Sequence, residues 1–343
     1  MFKKISYIFI VFLTIFLIAG YFFAKPILLP IINKELQKIF KESSVSDFRL
    51  TKDFIEFQGV KIKERNSYDV KIEKARVYYK LRSILKKKIE KIEAINLNLD
   101  FSKDDIKIKA IASIQLDIPT KIIDYIKLSI PSLNTNLFQA EGITLNAAQG
   151  QDAGEFYIKA INYNKLKIGN VAGKAGLEGN ILNISPILVS FLGGNVKGEF
   201  NISLDGEMNY SLRLNSQSLE IKNFVDEMEL NEKFDMTGRL DGTFSMSGRG
   251  QEIKEIKGDL HTDANGGILI INDKTFLENV AKQANQPLDI IVESFRNYNY
   301  NNGIIKLSTE TGNLVMDLKL EGASGKRSLA IILHDFNKGK EKP

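Results

Sequence analysis

Few side chains in this sequence are of types that make or break bonds. There are two histidines, His261 and His334, and no cysteine. Without cysteine there is no thiol nucleophile, no disulfide and no sulfur ligand for a metal. Neither histidine has a second one at ligand spacing, so each reads as a surface or sheet-face residue. The acidic pairs Asp104-Asp105 and Asp226-Glu227 could in principle share a proton. On a strand, however, consecutive residues face opposite ways, which is wrong for an acid–base dyad. GNVAGKAG, residues 169–176, looks at first like a phosphate loop. That loop needs four residues between its glycines and Ser or Thr after the lysine. Here three residues separate Gly169 from Gly173, and Ala175 follows Lys174. GKAGLEG, 173–179, lacks the G-x-G that begins a dinucleotide fingerprint. The sequence therefore points to no enzyme, no metal site and no cofactor.

What the sequence offers instead is apolar surface. In DDIKIKAIASIQLDI, 104–118, every second residue is apolar: Ile106, Ile108, Ala110, Ala112, Ile114, Leu116 and Ile118. A period of two predicts a β-strand with one apolar face. KARVYYKL continues the theme with Val77, Tyr79 and Leu81, and EAINLNLDF with Ile95, Leu97, Leu99 and Phe101. Alternation of this kind is also the ordinary mark of any half-buried sheet. Between these segments runs LKKKIEKIE, 85–93. Its Lys86, Lys87 and Lys88 are candidates for contact with anionic lipid headgroups. A charged edge that discourages aggregation is the alternative.

The elements that must position these rows begin with an anchor. ISYIFIVFLTIFLIAGYFFA, 5–24, carries no charge. As a helix it would run about 30 Å, the thickness of bilayer hydrocarbon. A cleavable signal peptide is the competing reading, but its apolar region is shorter and ends in a small-x-small site. Lys3 and Lys4 before the span place residues 1–4 in the cytoplasm and the rest outside it. Residues 25–47 are expected to hold a juxtamembrane helix, with Ile32, Leu36, Ile39 and Phe40 near one face. From 48 to 337 strands recur with turns at Gly179-Asn180, Gly193-Gly194 and Asp205-Gly206. Short helices are expected at 223–228, at KTFLENVAKQ and at PLDIIVESF, the last opened by Pro287. PTKIIDYIKL, 119–128, is ambiguous, since Pro119 could open a helix. GIIKLSTETGNLVMDLKLEG reads as a hairpin, SLAIILHDF as a last strand, and 338–343 as a basic tail. The fold class expected is mainly β, an elongated and curved antiparallel sheet with few short helices and one N-terminal transmembrane helix. The net charge of +5 comes from lysines spread along the chain, which argues against nucleic acid as a partner.

Several of these stretches carry a family likeness. KARVYYKLRSILKKKIEKIEAINLNLDFS, 74–102, has a strand ending in Ser83-Ile84-Leu85, followed by Ile89, Ile92, Ile95, Leu97 and Leu99. Residues 179–228 pass through Pro186 and then Gly193-Gly194. Residues 238–269 are a run of strands punctuated by glycine, and 294–322 close the pattern. In this order they resemble the AsmA-like family of bacterial envelope proteins, which includes TamB- and YdbH-type members. The resemblance implies an inner-membrane helix and a periplasmic β-shell whose apolar groove conducts phospholipid acyl chains. It makes Val77, Tyr79, Leu81, Ile95, Leu97, Leu99, Phe101, Ile106, Ile108, Ile114 and Leu116 the expected groove lining. Exposing a sixteen-carbon chain to water would cost roughly 12 kcal/mol, at about 0.8 per CH₂. A strip of alternating Ile and Leu would remove that cost without specific bonds. Phospholipid is then the expected partner, with an outer-membrane or periplasmic protein as a further one. Large members of the family are much longer than this chain. Two other readings stay open: an assembly factor for outer-membrane proteins working through an exposed sheet edge, and an anchored envelope module with a closed core.

Overall fold

The computed structural model describes residues 25–64, 68–80, 89–103, 106–135, 138–150, 154–163, 165–250 and 252–333. The chain is mainly β, and its residue contacts divide it into two units, 1–134 and 135–343. Among the described residues no helix is long and apolar enough to cross a membrane. The run 5–24, the cytoplasmic segment 1–4 and the tail 338–343 lie outside them, as does His334.

The first unit opens with helix α1, residues 25–39. Its Ile32 and Leu36 turn inward, while Ile39, expected on the same face, is 75% exposed. Two short strands follow, β1 (Glu42–Ser44) and β2 (Asp47–Leu50). Asn33 fastens α1 to the segment joining them: Nδ2 donates to Val45 O (3.1 Å), and Val45 N donates to Oδ1 (2.6 Å). Both β1 and β2 pair with β3 (Phe54–Glu64). An antiparallel meander continues through β4 (Tyr68–Tyr78), β5 (Lys91–Lys103), β6 (Ile106–Asp117) and β7 (Ile122–Asn134). The ambiguous stretch 119–128 resolves as a turn and the start of β7. Asp117 accepts hydrogen bonds from the amide and hydroxyl of Thr120, closing the chain into a turn around Pro119 before helix can form.

The second unit is a longer antiparallel meander. Its strands are β8 (Phe138–Ala148), β9 (Gly154–Tyr163), β10 (Leu166–Glu178), β11 (Ile181–Phe191), β12 (Gly194–Ser203) and β13 (Asn209–Glu220). The false phosphate loop is simply part of β10. Later in the chain come β15 (Arg239–Arg249), β16 (Glu252–Thr262), β19 (Asn302–Glu310), β20 (Asn313–Gly322) and β21 (Gly325–Leu333). The expected hairpin is β19–β20. Thr311 and Gly312 both take positive φ, 49° and 82°, the geometry of a two-residue turn whose twist matches the strands.

Two insertions leave this meander and meet as a cap. Between β13 and β15 come helix α2 (Ile221–Glu227) and β14 (Phe234–Met236). Between β16 and β19 come β17 (Gly267–Ile271), helices α3 (Lys274–Ala284) and α4 (Leu288–Phe295), and β18 (Tyr298–Tyr300). β14, β17 and β18 form a separate three-stranded sheet. The helices show the one-turn spacing that buries a stripe: Ile221 with Val225, Leu277 with Ala281, Ile291 with Phe295. They close a core with Met236, Leu269, Ile271, Tyr298 and Tyr300, reaching the main meander through Leu320, Leu318 and Leu240.

Candidate functional site: the apolar face of the first unit

Register shows which of the predicted side chains share a face. Ala112 and Ile114 of β6 are two residues apart, so they point the same way. Their partners on β5 are Leu97 and Ala94, three residues apart. The extra residue is absorbed at Asn96, whose φ is 52°. The bulge therefore carries the apolar row across the break without turning it to the other side. On β4 the same step falls between Ile72, opposite Leu97, and Ala75, opposite Ala94. On β3 it falls at Gly59, φ 58°, between Phe57 and Val60.

The result is a set of cross-strand apolar rows. Tyr68, Phe101, Ile108 and Leu133 form one, and Val70, Leu99 and Ala110 a second. Val60, Ile72, Leu97, Ala112 and Leu128 form a third. Beyond the bulges come Phe57, Ala75, Ala94, Ile114 and Ile126, and then Ile55, Val77, Ile92, Leu116 and Ile123. Ile106 ends β6 on the same side, since it is two residues from Ile108. Leu97, Leu99, Phe101, Ile106, Ile108, Ile114, Leu116 and Val77 are all half-buried. A second layer of side chains interlocked with them would bury most of them fully. Ile111, between the rows, faces the other way and is 45% exposed.

The placements of the remaining candidates differ. Ile95 stands opposite Lys74, which itself stands opposite Gln58, so it leaves the row that strict alternation assigns to it. Ala94 and Ile92 take its place, because Asn96 consumes one residue of the alternation. Tyr79 follows the end of β4, and its hydroxyl donates to Thr51 O. Leu81 and the lysines Lys86, Lys87 and Lys88 lie outside the described residues. Ile55, Phe57, Val60 and Ile62 of β3 join the face without having been singled out as lining. The signal was present: their alternation stops at Gly59 and resumes one residue later.

The reverse face carries charge in a fixed pattern. Glu56, Arg76, Glu93, Gln115 and Tyr125 lie opposite one another across β3 to β7. Arg76 donates through Nε to Glu56 (2.8 Å) and through Nη1 to Glu93 (3.2 Å). Tyr78 and Tyr125 donate to the two oxygens of Glu93 at 2.9 and 2.7 Å, and Gln58 donates to Glu56 at 2.9 Å. Glu56 and Glu93 keep only 6% and 8% of their surface. The bonds from Arg76 and Gln58 hold the Glu56 carboxyl below its ordinary range. Burial, and then the bond to Glu93, push the Tyr78 and Tyr125 phenols up. A one-residue slip of any strand would break this chain, so it fixes the register on which the apolar rows depend.

Among the described residues the rows offer apolar contact along five neighbouring strands. Among the described residues no cluster of His, Asp or Glu is arranged to hold a metal ion. His261 sits exposed on β16. Asp226, in α2, is bonded to Lys222 and Asn231. No family model matches the chain, and neither a curated protein nor a solved structure matches it.

Proposed function

We propose that this is a membrane-anchored envelope protein that shields or conducts phospholipid acyl chains along the apolar face of its first unit. On this reading residues 5–24 hold the chain in the inner membrane with its bulk in the periplasm. The observation that carries it is the set of aliphatic rows across β3 to β7, in which Val60 alone of the side chains larger than alanine is buried. Two features support it. The rows continue past the bulge at Asn96 and the positive-φ Gly59, so that apolar residues on both sides of each break stay in register with one another. Ile27, Leu28 and Ile31 are exposed on α1, directly after the apolar run 5–24, where a membrane surface would cover them. The family resemblance points the same way.

The test is photocrosslinking from the rows. Crosslinkers at Ile108, Ile114 and Leu97 are expected to capture lipid in cells, and one at Lys109 is not. Ile108→Asp and Leu97→Asp should impair envelope lipid balance more than Lys109→Asp, in variants shown to fold by circular dichroism. Adducts to protein alone at all three row positions would sink the reading.

One observation favours a second reading. Among the described residues β21 pairs only with β20, which leaves a strand edge for a partner. An assembly factor working through that edge would yield a stable protein partner in pull-downs and little bound lipid.

A further inference from the structure

The second unit holds a half-open apolar cavity of about 500 Å³, separate from the face just described. We propose that it is a binding site for a single unbranched aliphatic chain, with the polar end of the ligand left at its rim. The floor is the main meander, where Leu260, Ile305, Leu307 and Met316 turn toward the cap without joining its packed core. Gly258 lets Leu307 lie flat there, since a Cβ at that position would stand 2.9 Å from Leu307 Cδ1. The roof is the cap, contributing Phe224 of α2, Phe234 of β14, and Leu269 and Ile271 of β17.

Three observations choose the ligand. The volume falls within the roughly 300–1,000 Å³ of small-molecule sites and far exceeds the water-sized voids a packed core leaves. Fifteen of the eighteen lining residues are apolar, so a ligand needing several internal hydrogen bonds finds no partners. The three polar ones are Glu220, Lys233 and Asp273, and Lys233 is exposed, which places the opening beside it. Asp273 N donates to Lys233 O at 2.9 Å, so the two residues lie side by side in the lining. Glu220 pairs with Arg239 at 3.5 Å, so the polar lining does not select a head by net charge; the selection is for the hydrocarbon.

The chain has no tryptophan, so Phe224→Trp installs a single reporter in the wall. The full chain in an amphipol is titrated with a bromine-labelled long-chain fatty acid, which quenches indole only at contact. Saturable quenching, reversed by the unlabelled acid, is expected. Adding Ile305→Phe and Met316→Phe should raise the half-saturating concentration at least tenfold. A Phe101→Trp chain in the first unit reports separately on the face proposed above, so failure at one site is distinguishable from failure at the other. Competition by the free acid alone, or by a lysophospholipid of equal chain length, identifies the source of the chain, and either supports the site. Absence of quenching in folded protein, or quenching unchanged by the filling substitutions, overturns it. If the filled chain does not fold, Met316→Ala decides: the preferred acid must become longer, and an unchanged preference overturns the site.

Discussion

Arg76 sits between two nearly buried carboxylates, and its removal takes from both the cation that hydrogen-bonds them. Breaking a buried ion pair costs about 3–5 kcal/mol. Arg76 itself keeps 29% of its side-chain surface, so Arg76→Met should cost about 3 kcal/mol, the low end of that range, read as a lower urea midpoint. The pH dependence has a definite sign. The Glu56 carboxyl is held below its ordinary value, first by Arg76 and then by Gln58. Its contribution is therefore present above the unfolded-state pKa, near 4.3, and is lost as the pH falls through the lower folded value. Stability measured from about pH 5 to about pH 3 should drop in the parent and drop less in Glu56→Gln. A parallel decline in both would show that the carboxyl contributes nothing through its ionisation.

At the scale of the element, the bulge residues decide which side of the sheet is apolar. Asn96 tolerates its φ of 52° as few other residues do, and its side chain donates to Glu73 at 2.6 Å. A β-branched residue there should cost about 1–3 kcal/mol, so Asn96→Ile is expected to lower the unfolding midpoint while Asn96→Gly leaves it nearly unchanged. Equal midpoints would mean that the left-handed turn is not what the sequence is satisfying. The same residue explains how far the first unit could be read in advance. Strand identity and the apolar rows of β6 were legible, because period two is a local property. The facing of Ile95 was not, because a bulge shows itself only when a partner strand supplies the register. The helices α3 and α4 were legible from Phe276, Leu277 and Val280 on one side of the first, and from Ile291 and Phe295, one turn apart, in the second. The cap they help to build was not. β14 and β18 have three residues each, too short to show a period, and the pieces meet only through tertiary contacts between distant insertions.

At the scale of the whole molecule, both apolar features carry an energetic demand. The cavity of about 500 Å³ in the second unit leaves its aliphatic lining without the neighbours that a packed core would supply. The rows of the first unit add half-exposed aliphatic surface of a kind that soluble proteins keep small. Each demand is met if hydrocarbon occupies the site in the native state and leaves on unfolding. Stability then depends on ligand by mass action, by about 2.7 kcal/mol when a lipid is present at a hundred times its Kd. For units of this size that corresponds to a rise in Tm of about 5–10 °C. Delipidated protein, titrated with a long-chain lipid and followed by differential scanning calorimetry, should show that rise. The shift should shrink for the transition of the second unit when Ile305→Phe and Met316→Phe fill its cavity, and for that of the first when Ile108→Asp interrupts its rows. A Tm indifferent to lipid in the parent chain would mean that the open hydrocarbon is tolerated without an occupant, and both binding proposals would fail together.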